Sequence, residues 1–254
     1  MKQGFAKNTM REAYDDSGTV MRYIHGSYLW TSEEALIRRF FPNTGAVLDL
    51  GCGTGRTSIP LSQMNLNVVG MDLSFLMVKE AKLESVKKGV SVDYLQMDAS
   101  TLAFEDNSFD AALFSFNAMD DMTGSKGKLQ VLSQVCVLKP GAPFIFCVHR
   151  IWSRPHLRAL IRSGLKLYLG KIFGVTTLEK EWGEFYDPKA DNPEERYGHF
   201  MASRDWEAAL RKVGFNITCR QSRSQLESNG LRQRIRSSVS SYNYMFFVAC
   251  KPVI

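Results

Sequence analysis

The stretch Val47-Leu48-Asp49-Leu50-Gly51-Cys52-Gly53-Thr54-Gly55-Arg56 decides the fold. Ala46 to Leu50 is a short apolar run suited to a buried parallel strand, and Thr54 to Met64 reads as a helix carrying the apolar residues Ile59, Leu61 and Met64. Three alternating glycines separate the two. Glycine lacks Cβ, so the loop takes positive φ and a ligand can touch the main chain, while the helix start beyond it leaves N–H groups free. The segment therefore reads as strand, tight loop and helix, with a small and partly polar ligand at the loop. The spacing is D-x-G-x-G-x-G, which departs from the G-x-G-x-x-G of dinucleotide-binding folds because Arg56 follows Gly55.

Downstream, Val68-Val69-Gly70-Met71-Asp72 is a second buried-strand pattern ending in an acid, and Ser74 to Val86 follows as a helix. Val90 to Met97 forms a third strand and leads into Asp98-Ala99. After the turn Glu105-Asp106-Asn107-Ser108, Phe109 to Phe116 is a fourth strand, running into Asn117-Ala118-Met119-Asp120-Asp121-Met122. A helix from about Gly127 to Val137 precedes the turn Leu138-Lys139-Pro140-Gly141 and a fifth strand, Phe144 to His149. Open α/β sheets bind ligands at the carboxyl ends of their strands, and Asp49, Asp72 and Asp98 fall at three successive ends.

This succession resembles the class I S-adenosylmethionine (SAM)-dependent methyltransferases. The glycine loop is similar to the family's motif I, Phe109-Asp110 to its fourth strand, and Leu138-Lys139-Pro140-Gly141 to its "LKPGG" turn, with Ala142 where the second glycine is usual. The match covers Ala46 to His149. It returns at Ser203-Arg204-Asp205-Trp206, where a helix ends at Gly214, and at the strands Phe215 to Cys219 and Tyr242 to Cys250, which match the closing antiparallel hairpin.

The resemblance implies a doubly wound, seven-stranded, mostly parallel α/β sheet of Rossmann-like type with an antiparallel last strand. It also implies SAM as cofactor and S-adenosylhomocysteine as product. Cofactor contacts then fall on Asp49, Gly51, Gly53 and Gly55 in the loop, on Asp72 with Leu73 for the ribose hydroxyls, on Asp98 and Ala99 for the adenine edge, and on Ser115 or the Phe116 carbonyl for the amino group. The aromatic segment Tyr14, Tyr23, Tyr28, Trp30 either folds over the cofactor or packs on the first helix, which Thr31-Ser32-Glu33-Glu34 starts through a capping box from Glu34 to the Thr31 N–H. The chain divides into an N-terminal helical cap (1–45), a SAM-binding core (46–149), an inserted lid (150–198) and the C-terminal part of the sheet (199–254).

Transfer from a sulfonium needs alignment and exclusion of water more than a dedicated base. A hydroxyl acceptor needs one, and His149, Asn117 and Asp120 are the expected catalytic side chains, with Arg150 also on the acceptor side. A structural histidine under the lid and helix-capping acids are the competing readings. No clustered His/Asp pattern points to a catalytic metal. The strand-four end, Phe116-Asn117-Ala118-Met119, lacks the N-P-P-Y pattern of base-modifying amino-methyltransferases, which disfavours nucleic acid and favours a small-molecule acceptor on nitrogen or oxygen.

The 254 residues, 44% hydrophobic and 23% charged, fit a globular protein with a large core. No apolar run approaches the roughly 20 residues of a membrane span and no signal peptide is recognisable, so a cytoplasmic location is expected. Five scattered cysteines fit neither a disulfide framework nor a C-x-x-C metal site. The net charge of +6 is uneven: nine Lys/Arg and no acid lie between Met122 and Leu178, and seven acids lie between Glu179 and Glu195. Arg154, Arg158, Arg162 and Lys166 alternate with Leu157, Leu160, Ile161 and Leu165, giving a basic edge beside an apolar face. The edge meets an anionic or lipid-like acceptor, a membrane surface, RNA or the following acids. Hence the second reading, a regulatory or RNA-associated SAM-binding protein, supported also by the basic stretch Arg220 to Ser241.

Overall fold

In a computed structural model, residues 8, 10–24, 26–151, 154–177, 179–186, 197–227 and 244–253 are described. One seven-stranded sheet organises them. Its strands are β1 (Ala46–Leu50), β2 (Asn67–Asp72), β3 (Asp93–Gln96), β4 (Ala111–Phe114), β5 (Pro143–His149), β8 (Asn216–Ser222) and β9 (Tyr244–Cys250), in the order β3-β2-β1-β4-β5-β9-β8. All neighbours through β5 are parallel, and β9 runs antiparallel to both β5 and β8. This is the fold expected from the sequence.

Parallel strands need helical crossovers, and the sequence supplies them on both faces. The helices are α1 (Ser17–Tyr23), α2 (Thr31–Phe40), α3 (Ser58–Gln63), α4 (Phe75–Lys88), α5 (Gly124–Gln134), α6 (Arg154–Phe173), α7 (Ser203–Lys212) and α8 (Arg223–Glu227). Residues alternating along each central strand feed opposite cores. Leu48, Leu50, Phe144, Phe146 and Phe247 pack with α5 and α7 through Leu132 and Trp206. Val47, Leu113, Ile145 and Val248 pack with α2 through Leu36 and Ile37.

Register brings the carboxyl ends together, with Leu50 beside Met71 and Phe114, Asp72 beside Gln96, and Phe114 beside Phe146. The opposite end is fastened by family-like residues at the amino ends of the strands. Asp110 accepts the Ala46 N–H (2.9 Å) and the Lys139 ammonium (2.7 Å), which holds its carboxyl below the usual range. Much of the resemblance at Phe109-Asp110 and Leu138-Lys139-Pro140-Gly141 is thus sheet closure.

Several element limits move. The third strand is confined to Asp93–Gln96, because Val90 to Val92 precede the ladder with β2, and the fourth stops at Phe114. Helix α5 starts earlier than the expected Gly127, at Gly124, with φ +56° there. The first-helix cap shifts by one residue: Trp30 is the N-cap, and Glu33, not Glu34, accepts the Trp30 N–H at 2.7 Å. Glu34 instead pairs with Arg38 at the surface. Segment 150–199 contributes α6 and a small antiparallel sheet of β6 (Glu184–Tyr186) and β7 (Tyr197–His199), and β7 packs against the 3-10 turn Ala118–Asp121.

Candidate active site

A cavity of about 730 Å³ opens at the carboxyl ends of β1, β2 and β4. Its floor is the glycine loop. Gly51, Gly53 and Gly55 all have positive φ (61°, 54° and 86°), yet they serve different ends. A Cβ on Gly51 would lie 2.8 Å from the Phe114 ring and one on Gly55 2.8 Å from the Tyr94 hydroxyl, so these two permit close packing. A Cβ on Gly53 would meet nothing within 4 Å. Gly53 is the glycine whose bare main chain faces open space.

Around that floor stand two carboxylates. Asp72 accepts the Gly53 N–H through Oδ2 and the Ser74 N–H through Oδ1, both at 2.9 Å, while Ser74 caps α4 by accepting the Met77 N–H. Burial raises the Asp72 pKa against the opposing pull of those N–H groups. Asp98 accepts the Ser100 N–H (2.9 Å) and hydroxyl (2.7 Å), and Ala99 lies beside it on the wall. Asp98 is oriented by its own turn and Asp72 by its turn and the glycine loop, and both line the cavity.

Of the expected cofactor residues, Gly51, Gly53, Asp72, Leu73, Asp98, Ala99 and Ser115 line the cavity. Asp49 and Gly55 do not. Asp49 is buried beneath the loop and accepts the Thr57 (2.7 Å) and Ser58 (2.5 Å) hydroxyls, bracing the start of α3. Burial pushes its pKa up to about 6, against the lowering effect of Ser58, Thr57 and Arg56. The acid of the motif therefore acts on the loop from behind.

The opposite wall is aromatic and comes from the N-terminal segment. Tyr14, Tyr23 and Tyr28 face the cavity together with Phe116. They are tied to the loop: the Thr54 hydroxyl donates to the Tyr23 carbonyl (2.9 Å), the Tyr28 N–H to the Arg56 carbonyl (3.0 Å), and the Leu76 N–H to Asp15 (3.0 Å). Segment 150–198, expected as the lid, supplies no described residue to the lining, and among the described residues the N-terminal segment forms this wall.

Beneath this wall is a charged cluster that the sequence did not announce. Glu33, fully buried, takes a two-pronged bond from Arg56 (2.8 and 2.9 Å) and a hydrogen bond from the Ser115 hydroxyl, which also accepts from Arg56 at 2.9 Å. The Arg56 guanidinium sits 5.1–5.5 Å from the Tyr28, Trp30 and Phe116 rings. Burial works against its charge, but Glu33 more than compensates and the net pKa rises. In the sequence Glu33 stood only as the residue beside Glu34, to which the capping box was assigned.

The expected catalytic residues His149, Asn117 and Asp120 are brought together but behind the cavity, none of them on its lining. Asp120 is buried and its Oδ2 accepts the His149 N–H (2.7 Å) and lies 3.0 Å from His149 Nδ1. Asn117 is buried too, with φ +59°, and follows Phe116 at φ +53°. Two consecutive left-handed non-glycine residues are costly and turn the chain sharply at the β4 end. The turn directs Asp120 inward and Asp121 to the cavity, where Asp121 Oδ2 accepts the Tyr14 hydroxyl at 3.2 Å. Asp121, not the expected Asp120, is therefore the acid of this turn that lines the cavity.

Lys128, with no exposed surface, holds the same turn by donating to the Met119 and Met122 carbonyls. Burial pushes its pKa down to about 8, countered by Asp120 and Asp121. Among the described residues no group of three or more His, Cys, Asp or Glu could hold a metal ion. Arg154 and Arg158 have undescribed side chains, most of Arg220 to Ser241 lies outside the described residues, and Lys166 of the basic edge pairs with Glu179.

Residues 47–141 match the family model for a methyltransferase domain. The chain is 33% identical over 165 residues to a demethylmenaquinone methyltransferase of Clavibacter sepedonicus, covering 63% of this chain and 61% of that protein. It is 30% identical over 223 residues to the demethylmenaquinone methyltransferase of Lactococcus lactis, covering 82% of this chain and 79% of the other. Among solved structures, a SAM-dependent methyltransferase of Methanosarcina mazei superimposes with a TM-score of 0.66 at 21% identity, over 86% of this chain and 98% of its own.

Proposed function

The chain belongs to the class I SAM-dependent methyltransferase family, and from that premise we propose that its acceptor is a small, ring-bearing, lipid-like molecule methylated on oxygen or nitrogen. The observation that carries this reading is the polarity of the cavity: carboxylates and bare main chain on one side, three tyrosines and Phe116 on the other, with Asp121 at their junction. A flat apolar ring fits between aromatic faces, and the names of both demethylmenaquinone relatives point to acceptors of that kind.

In this reading Asp72 accepts the ribose hydroxyls, Asp98 and the Ala99 N–H take the adenine edge, and Gly53 lets the cofactor lie against the main chain. SAM brings an electrophilic sulfonium methyl. The protein's part is to hold the acceptor in line with it, exclude water behind Tyr14, Tyr23 and Tyr28, and receive the acceptor's proton. Asp121, held by Tyr14, receives that proton. Asp120 and His149 are positioning residues that fix the turn carrying Asp121, which leaves Asn117 a part in its backbone shape.

The test is transfer of labelled methyl from SAM into a panel of hydroxylated quinones, phenols and amines. Asp121→Asn should lower kcat about 100-fold with S-adenosylhomocysteine binding unchanged. Full activity of Asp121→Asn would remove it as the base, and transfer to polar amines alone would overturn the lipid-like acceptor.

A further inference from the structure

Helix α6 shows an apolar face to solvent. Leu157, Ile161, Leu165, Tyr168, Leu169 and Ile172 are all exposed, Ile161 and Tyr168 each at 63%. At about 100° per residue these six fall within roughly 120° of arc, whereas Leu160 and Ser163, both buried, point the other way. The stripe is therefore surplus to the protein's own packing. It continues past the helix in Phe173 and Val175, exposed at 71% and 62%.

The charges of this helix have one sign. Between Arg154 and Phe173 there are five Lys/Arg and no Asp or Glu. By helical position Arg162 borders one edge of the stripe and Lys171 the other. An apolar stripe edged by cations is the pattern of a helix lying in the plane of a bilayer with anionic headgroups. Two copies of this chain pairing through the face would set cation against cation, and nucleic acid offers nothing for the exposed Ile, Leu and Phe side chains. No described helix is long and apolar enough to cross a membrane, so the contact is one of lying on the surface.

We propose that α6 docks this methyltransferase on anionic lipid bilayers, its apolar stripe entering the interface and Arg162 and Lys171 at its edges meeting the headgroups. The docked element is one step from the cavity: Glu181, just beyond α6, accepts the Ser125 N–H (2.7 Å) and hydroxyl at the start of α5, whose Gly127 and Gln130 line the wall.

The experiment is co-sedimentation of the full chain with phosphatidylcholine vesicles, with and without phosphatidylglycerol at about one lipid in three. Because it reads lipid binding rather than methyl transfer, it fails or succeeds independently of the acceptor proposed above. Wild-type protein should bind the anionic vesicles about tenfold more tightly than the neutral ones, and less tightly as salt is raised. Ile161→Glu combined with Tyr168→Glu should reduce binding to background while melting temperature and S-adenosylhomocysteine binding hold; Arg162→Glu at the edge should give a partial loss if the double variant misfolds. Wild-type protein that stays in the supernatant overturns the proposal, as does undiminished binding by the variants. A wild-type dimer that the double variant converts to monomer, without vesicle binding, would assign the face to a second copy instead.

Discussion

The two sides of the cavity are made in different ways. On the glycine-loop side the bonds are short in sequence: Asp98 to Ser100 and Asp72 to Ser74 within two residues, and Asp72 to Gly53 across 19. On the aromatic side the bonds span the chain, with Tyr14 to Asp121 separated by 107 residues, Glu33 to Ser115 by 82 and Arg56 to Ser115 by 59. The first side is a set of strand ends whose shape follows from local geometry. The second exists only when the N-terminal segment, the loop and the β4 turn are already assembled. Loss of one partner should therefore damage the second side as a whole and the first side only locally.

The largest effect is expected at Glu33. Glu33→Ala leaves the Arg56 guanidinium buried without its carboxylate, and breaking such a pair costs about 3–5 kcal/mol. Denaturant unfolding should show that loss, and a change below about 1 kcal/mol would show that the aromatic rings alone can host the cation and would break the contrast.

Next comes Asp49. Its folded pKa, about 6, lies above the ordinary 3.8, so the folded state binds the extra proton between those values and stability falls as pH rises through that window. The difference corresponds to the order of 3 kcal/mol, fully present below pH 4 and gone above pH 6. Asp49→Asn should remove this slope from melting curves measured across that range. An unaltered slope would mean that another group carries it.

The most local effect belongs to Asp72. Asp72→Ala removes the acceptor of the Gly53 and Ser74 N–H groups at the cavity rim, and should weaken SAM and S-adenosylhomocysteine binding about 100-fold by calorimetry, about 2.7 kcal/mol, with the fold intact. Global unfolding of this variant would sharpen the comparison the other way, making the glycine-loop side as interdependent as the aromatic one.

The legibility of the molecule follows the same division. The parallel strands and the acids at their ends were readable because each is a short run with a fixed spacing of apolar strand, acid, turn and helix, and the sheet and its closing hairpin followed from the resemblance to the family. The loop glycines were readable as a group but not as individuals, since only contacts with Phe114 and Tyr94 separate packing glycines from the one facing the ligand space. Of the two acids after β4 the sequence reading named Asp120, whereas Asp121 is the one that lines the cavity. Phe116 and Asn117 are both left-handed, which rotates the following residues.

By itself the sequence determined the doubly wound sheet and the SAM-binding side, where function rides on local backbone shape that residue type and spacing fix. Only the tertiary structure decided that the tyrosines of the N-terminal segment wall the cavity, that Glu33 partners Arg56, that His149 stands behind the wall, and that the apolar face of α6 is left exposed. These depend on which distant surfaces meet, and two side chains a hundred residues apart carry no mark of each other until the chain has folded.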